Sequence, residues 1–264
     1  MRQPEWPRSR YWLCHFLNNR HMRVRIDWNA PHAPFLQGGA QPIADWLTWT
    51  TQINTASRGR LLRWATTECA TDPAYIQSLR LFVKEEQWHA DIATRYLSLR
   101  QMKGRAGGIN RAMARSLMKP LGLRFELSIL LLSEIAALTV SRLLLKATND
   151  EALRGLLTQG IHDHECHIAF HSERLTTEFA DFNFIRRNLR RWRLRAMFTA
   201  LVTGLTLRHR RLLRAIGCSK TQFARQAWHT FAAVLERMVP YGRDHLLAAL
   251  LNQQQKPYEK AGLP

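Results

Sequence analysis

The chain has 264 residues, 46% of them hydrophobic, and a formal net charge of +19. That is enough apolar material for one large domain or two small ones, which excludes a chain too polar to bury a core. Its four cysteines, Cys14, Cys69, Cys166 and Cys218, are scattered with no C-x-x-C spacing, which favours free thiols in a reducing compartment.

Residues 1–41 mix Pro, Gly, Trp and Arg without sustained period and read as an extended arm. Nothing in them joins a basic region to an apolar run and a cleavage site, so a cytoplasmic location is expected. From Pro42, a favourable first helical residue, residues 42–180 read as two helical hairpins. In the first, "PIADWLTWTTQINTASRGRLLRWATTECA" runs to a stop near "TDP", and "AYIQSLRLFVKEEQWHADIATRYLSLR" runs to the "GRAGG" break. The second follows "KPLG": "LRFELSILLLSEIAALTVSRLLLKA" reaches the turn "TND", and "EALRGLLTQGIHDHECHIAFHSERLTTEF" returns. The apolar run "LSILLLSEIAALTV" is short for a bilayer and carries Glu134 in its middle, so it is read as a buried helix and no transmembrane segment is expected.

Residues 181–254 read as a basic helical extension expected to pack on the hairpins. Leu194, Met197, Phe198, Leu201, Val202 and Leu205 share a helix face that ends at Gly217. "SKTQ" opens another helix, with Ser219 as its cap and Phe223, Ala227, Trp228, Phe231, Val234 and Met238 on one side. Pro240 closes it; "RDHLLAALLN" follows, and residues 255–264 read as a disordered tail. No convincing strand alternation occurs, so the fold class is all-α.

The charge is uneven. From Phe182 to Leu235 there is no Asp or Glu, while "RRNLRRWRLR" and "RHRRLLR" crowd Arg186 to Arg214. This stretch suits a polyanion, whether nucleic acid, anionic lipid or an acidic protein, or is a solvated cationic face.

The densest chemistry lies in "HDHECHIAFH", His162 to His171. On a helix His164, His167 and His171 stand at i, i+3 and i+7 in one stripe, with His162 off it. The spacing is not that of H-E-x-x-H. An offset of 78 residues sets "EEQWH" (Glu85 to His89) on "DHECH" (Asp163 to His167) and Asp72 on Asp150, so the two hairpins read as copies of one unit. Glu134 precedes the "TND" turn by about as many residues as His164 to His167 follow it, roughly 22 Å along each helix, so they face each other. Glu86 and His89 stand at the matching height in the first hairpin. A carboxylate as deep as Glu134 needs a cation, a proton or an arginine such as Arg142 beside it.

Glu86-x-x-His89, Glu134 and the Asp163–His167 stretch together resemble the ligand scheme of the ferritin-like di-iron and di-manganese carboxylate proteins, a Glu on each of two bundle helices and E-x-x-H on each of the other two. The likeness covers roughly residues 43–178. It implies a four-helix bundle and a metal site of Glu86, His89, Glu134, His164 and His167 holding iron, one or two ions, with manganese or zinc as alternatives. The chemistry it implies is oxidation of a small substrate with O₂.

Two positions depart from that pattern. His164 stands where the second E-x-x-H has its glutamate, and the first hairpin's upstream glutamate falls near Ala56, with no acid between Asp45 and Glu68. Two carboxylates and three imidazoles therefore replace the usual four carboxylates, which favours one ion or an asymmetric pair. Glu85 and Asp163 either accept hydrogen bonds that orient histidines or, more simply, face solvent. Glu165 is a further reserve acid, Cys166 points away from the stripe, and His171 either supports the site or caps the stripe. The alternative function is a non-catalytic relative whose basic helices bind nucleic acid, anionic membrane or an acidic protein, and a plain helical scaffold is a third reading.

Overall fold

The computed structural model describes residues 8–31, 33, 39–56, 58–105, 122–180 and 182–239, with side chains except at 53–56 and 58. Among them every regular element is a helix, as expected of an all-α chain: α1 (Ser9–Asn19), α2 (Gln41–Ala56), α3 (Arg58–Glu68), α4 (Pro73–Leu99), α5 (Leu123–Ala147), α6 (Glu151–Phe179), α7 (Phe184–Arg208), α8 (Arg210–Ala215) and α9 (Lys220–Met238). The "GRAGG" break beyond Arg105, "KPLG" before Gly122, Pro240, "RDHLLAALLN" and the tail 255–264 lie outside the described residues.

Helix starts follow cap chemistry. Asp72 accepts from the Tyr75 amide at 3.0 Å ahead of Pro73, and Asp150 accepts from the Leu153 amide at 2.9 Å. These are the two turn acids that the 78-residue offset superposes, and each opens a long helix. Asn183 and Ser219 cap α7 and α9 in the same way, with Ser219 accepting from the Gln222 amide. Gly217, at φ 66°, supplies the left-handed residue that ends the segment before α9.

The centre of the molecule is α5. Leu127, Leu131, Ile135, Leu138 and Leu144 are buried, and α6 runs back along it from the Thr148–Asp150 turn. By length and composition α5 is the one described helix apolar enough to cross a membrane, but 67% of its most apolar window is buried inside the protein and Glu134 sits within it, so it is a core helix. On one side α4 packs against α2 and α6; on the other α7 and α9 stack Phe198 on Phe231, ring centroids 4.3 Å apart.

Three expectations change. Residues 9–19, read as part of an extended arm, form a helix whose Trp12, Phe16 and Asn19 are buried against α4 and α6, because an aromatic pair three to four residues apart makes an apolar helical face that the surrounding Pro and Arg obscure. The long helix read from Pro42 is two helices, α2 and α3. The helix read up to Gly217 is interrupted at His209, whose backbone leaves helical geometry between α7 and α8.

Candidate metal centre

Helices α4, α5 and α6 each contribute to one buried cluster. α4 supplies Glu85, Glu86 and His89, α5 supplies Glu134, and α6 supplies Asp163, His164 and His167. One side-chain ligand atom from each of Glu86, Glu134, His164 and His167 lies within 4.8 Å of every other. Donors opposite each other around one ion are separated by about 4.2 Å, given metal–ligand bonds near 2.1 Å, so this set fits a single ion after small side-chain adjustments. Two carboxylates and two imidazoles make a mixed O/N site of the kind that suits iron, manganese or zinc, and their charge balances a divalent cation.

Equal spacing from the two helix caps brings these residues to one height. Glu85, Glu86 and His89 follow the Asp72 cap at the same intervals at which Asp163, His164 and His167 follow the Asp150 cap. The helices then exchange hydrogen bonds. His89 Nε2 lies 2.7 Å from Asp163 Oδ2 on α6, and His167 Nε2 lies 3.1 Å from Glu85 Oε2 on α4. With Nε2–H donating to a carboxylate, each ring turns Nδ1 toward the cluster centre. His89 Nδ1 is 3.1 Å from Glu86 Oε1, and His167 Nδ1 is 3.4 Å from Glu134 Oε2 and 3.6 Å from Glu86 Oε1. His164 Nδ1 is 2.6 Å from Glu134 Oε2. Four of the five residues expected as ligands thus share one centre, and His89 borders it through Glu86.

Glu85 and Asp163 are therefore not solvent-facing charges; they are 2% and 1% exposed and hold the two histidine rings. Two residues that the sequence did not single out hold them in turn. Asn19, on α1, donates through Nδ2 to Glu85 Oε1 and Asp163 Oδ1, both at 2.9 Å. Gln159 donates to both Asp163 oxygens at 2.8 and 2.9 Å while its own Oε1 accepts from the Val24 amide. Gln159 stands four residues before Asp163 on α6, a spacing visible in sequence. Asn19 is brought in only by the docking of α1.

Electrostatics follows from this packing. Burial opposes the charged form of His89, but hydrogen bonds to Asp163 and Glu86 outweigh it and raise its pKa to about 9. Burial likewise opposes charge on His167, yet Glu134, Glu85 and Glu86 hold it well above the ordinary value. Glu134 is the converse: burial would raise it, and His164 and His167 pull it well below the usual carboxylate range. Asp163 is also held low, by His89 and Asn19 against its burial. Without a metal, protons on inward-facing imidazoles occupy the place a cation would take.

The other named residues stand apart. Arg142 pairs with Glu165 at 2.5 Å near the surface rather than with Glu134. Cys166 is half-buried, its thiol pushed up to about 11 by burial. His171 is fully buried edge-on to Phe82, with neither ring nitrogen hydrogen-bonded among the described residues, and burial lowers its pKa to about 4. It packs as a neutral ring.

Beside the cluster lies a cavity of about 90 Å³, bounded on one side by Glu86, His89, Glu134 and His164. Several waters or a small organic molecule fit that volume. Its far wall is α2, with Trp46, Leu47, Thr50 and Thr51. The expected position of a fourth carboxylate, Ala56, has no described side chain; the α2 residues that reach the cavity are these earlier ones, hydroxyl and apolar in place of acid. Comparison with protein-family models, with curated proteins and with solved structures returns no match.

Proposed function

We propose that this chain is a metal-dependent oxidoreductase of the ferritin-like kind, in which Glu86, Glu134, His164 and His167 hold one non-haem ion, iron foremost, at the base of a substrate cavity. When bound, that ion would supply redox chemistry with O₂. The observation that carries the reading is the meeting of Glu86, Glu134, His164 and His167 from three helices, with Glu85 engaging His167 Nε2 so that Nδ1 of that ring is left for a cation.

The chain's own residues then divide the work. Glu86 and Glu134 contribute two negative charges at the centre, and Asp163 and Glu85 fix the orientation of the rings. His89 bridges Glu86 and Asp163 and is placed to take up or give a proton at Nδ1, on the cavity side. Trp46 and Leu47 give the cavity an apolar wall. The α2 residues that line the cavity, Trp46, Leu47, Thr50 and Thr51, bring it no carboxylate, which favours one ion and leaves volume for a small, largely apolar substrate.

The test is metal analysis of the protein purified without added metal, followed by oxygen uptake with a reductant. Near-stoichiometric iron with uptake above that of free iron is expected, and both are lost in the Glu134→Ala, His167→Ala double variant. Metal held at that ratio without oxygen uptake would make the site structural and overturn the oxidoreductase reading.

A further inference from the structure

α7 carries two apolar stripes, and only one is used inside the protein. Leu194, Phe198, Val202 and Leu205 are buried. On the opposite side Ile185, Leu189 and Trp192 recur at i, i+4 and i+7 and are 75%, 57% and 67% exposed, with Phe184 beside them at 67%. At 100° per residue the three fall within an arc of roughly 60°. Single exposed leucines are unremarkable, but four large apolar side chains gathered in two turns of one helix form a patch.

Arginines border that patch on both sides. Arg186 and Arg193 lie roughly 80–100° to one side of Ile185 and Arg195 about 80° to the other, all three exposed. Arg186 and Arg193 have no acidic partner among the described residues. Other arginines of the same helix turn inward: Arg190 donates to Ser128 Oγ at 2.7 Å, and buried Arg191 is held by the Val239 carbonyl and Glu236. The basic segment is therefore sorted by position, part spent on packing and part ranged along an apolar strip.

We propose that the outer side of α7 docks on an anionic lipid bilayer, with Ile185, Leu189 and Trp192 entering the headgroup–acyl boundary and Arg186, Arg193 and Arg195 on lipid phosphates. This proposal does not rest on the metal centre. The combination selects lipid. Arginines alone serve any polyanion, but Ile185 and Leu189 offer no ring for a base to stack on, whereas both gain by leaving water for acyl chains. Trp192 belongs at such a boundary, with an apolar ring and one N–H donor. A second copy of this chain is disfavoured as occupant, since it would bring the same arginines face to face in a protein of net charge +19.

The test is co-sedimentation of the full chain with phosphatidylcholine vesicles, with and without phosphatidylserine. Binding is expected with phosphatidylserine and falls roughly tenfold or more without it or at high salt. It falls to a similar extent in the Ile185→Ser, Leu189→Ser, Trp192→Ser variant, whose helical circular dichroism should be unchanged because those side chains are exposed. As a second reading, acyl chains labelled with bromine quench part of the tryptophan fluorescence of the native chain, and Trp192→Phe abolishes that quenching while the protein still binds.

Serine substitution that leaves vesicle binding intact overturns the proposal, because charge alone would then suffice. So does a native chain that ignores vesicles while binding single-stranded RNA, or while forming a dimer that the triple variant loses. The same holds if residues 240–264 cover the strip, shown by vesicle binding that appears only after their removal.

Discussion

His89 on α4 and Asp163 on α6 lie 2.7 Å apart, and this contact ties the first hairpin's histidine to the second hairpin's acid. Its counterpart, His167 with Glu85, runs the other way at 3.1 Å. Two hairpins in which each orients the other's imidazole cannot assemble half a site. Neither histidine has its acid unless both helices are docked, and Asn19 then links the two acids.

Replacing these acids should therefore act on the metal without dismantling the bundle. Asp163→Asn and Glu85→Gln are each expected to weaken iron or zinc affinity about 10–100-fold, measured by chelator competition. Helical content should persist. Affinity unchanged in both variants would show that ring orientation is set by packing alone.

Much of this was legible from residue pattern, and the remainder was not for physical reasons. Apolar period gave α4, α5 and α6, and the 78-residue offset placed Glu86, His89, His164 and His167 at one height. Burial has no such signature: Glu85 and Asp163 look like ordinary surface acids until α1 covers them. Asn19 is 66 and 144 residues from its two partners, and no local spacing announces a contact of that range.

Metal loading should depend on pH with a defined sign. In the metal-free protein His89 titrates at about 9 and His167 well above its ordinary value, so both carry protons at neutral pH. An ion taking up the inward nitrogens must displace protons. Apparent affinity is expected to rise as pH climbs from neutral into the alkaline range and the His167 proton becomes easier to displace, with proton release seen by calorimetry in buffers of different ionisation enthalpy. Affinity independent of pH across that range would rule out imidazole ligation.

Stability of the metal-free protein should fall on both sides of about pH 6.5. His89 is raised in the folded state, so its contribution is full below the unfolded pKa of 6.5 and is lost as pH rises through about 9. His171 and His209 are lowered to about 4 by burial, so the unfolded chain takes up protons first, and stability drops as pH falls from 6.5 towards 4. Each shift corresponds to something on the order of 3 kcal/mol at full titration. Denaturant melts should show His89→Gln flattening the alkaline limb and His209→Phe, between Trp46 and Trp49, flattening part of the acid limb.

The α2 wall offers the sharpest test of one ion against two. Thr50 lines the cavity that Glu86, His89, Glu134 and His164 bound on the other side, and its hydroxyl is engaged with the Leu47 carbonyl of its own helix at 2.9 Å. Glu86 and Glu134, the two carboxylates that face the centre, neutralise one divalent cation, while Glu85 and Asp163 are engaged by His167 and His89, so a second cation would meet uncompensated repulsion in a poorly solvated interior. Thr50→Glu adds a carboxylate from the helix that brings none to the cavity, in a space large enough to hold it. The expected outcome is an increase in bound iron from about one to about two ions per chain, read by metal analysis on protein of unchanged helicity. If the folded variant still binds a single ion, the missing negative charge is not what limits the native site, and ring geometry around His164 must set the stoichiometry.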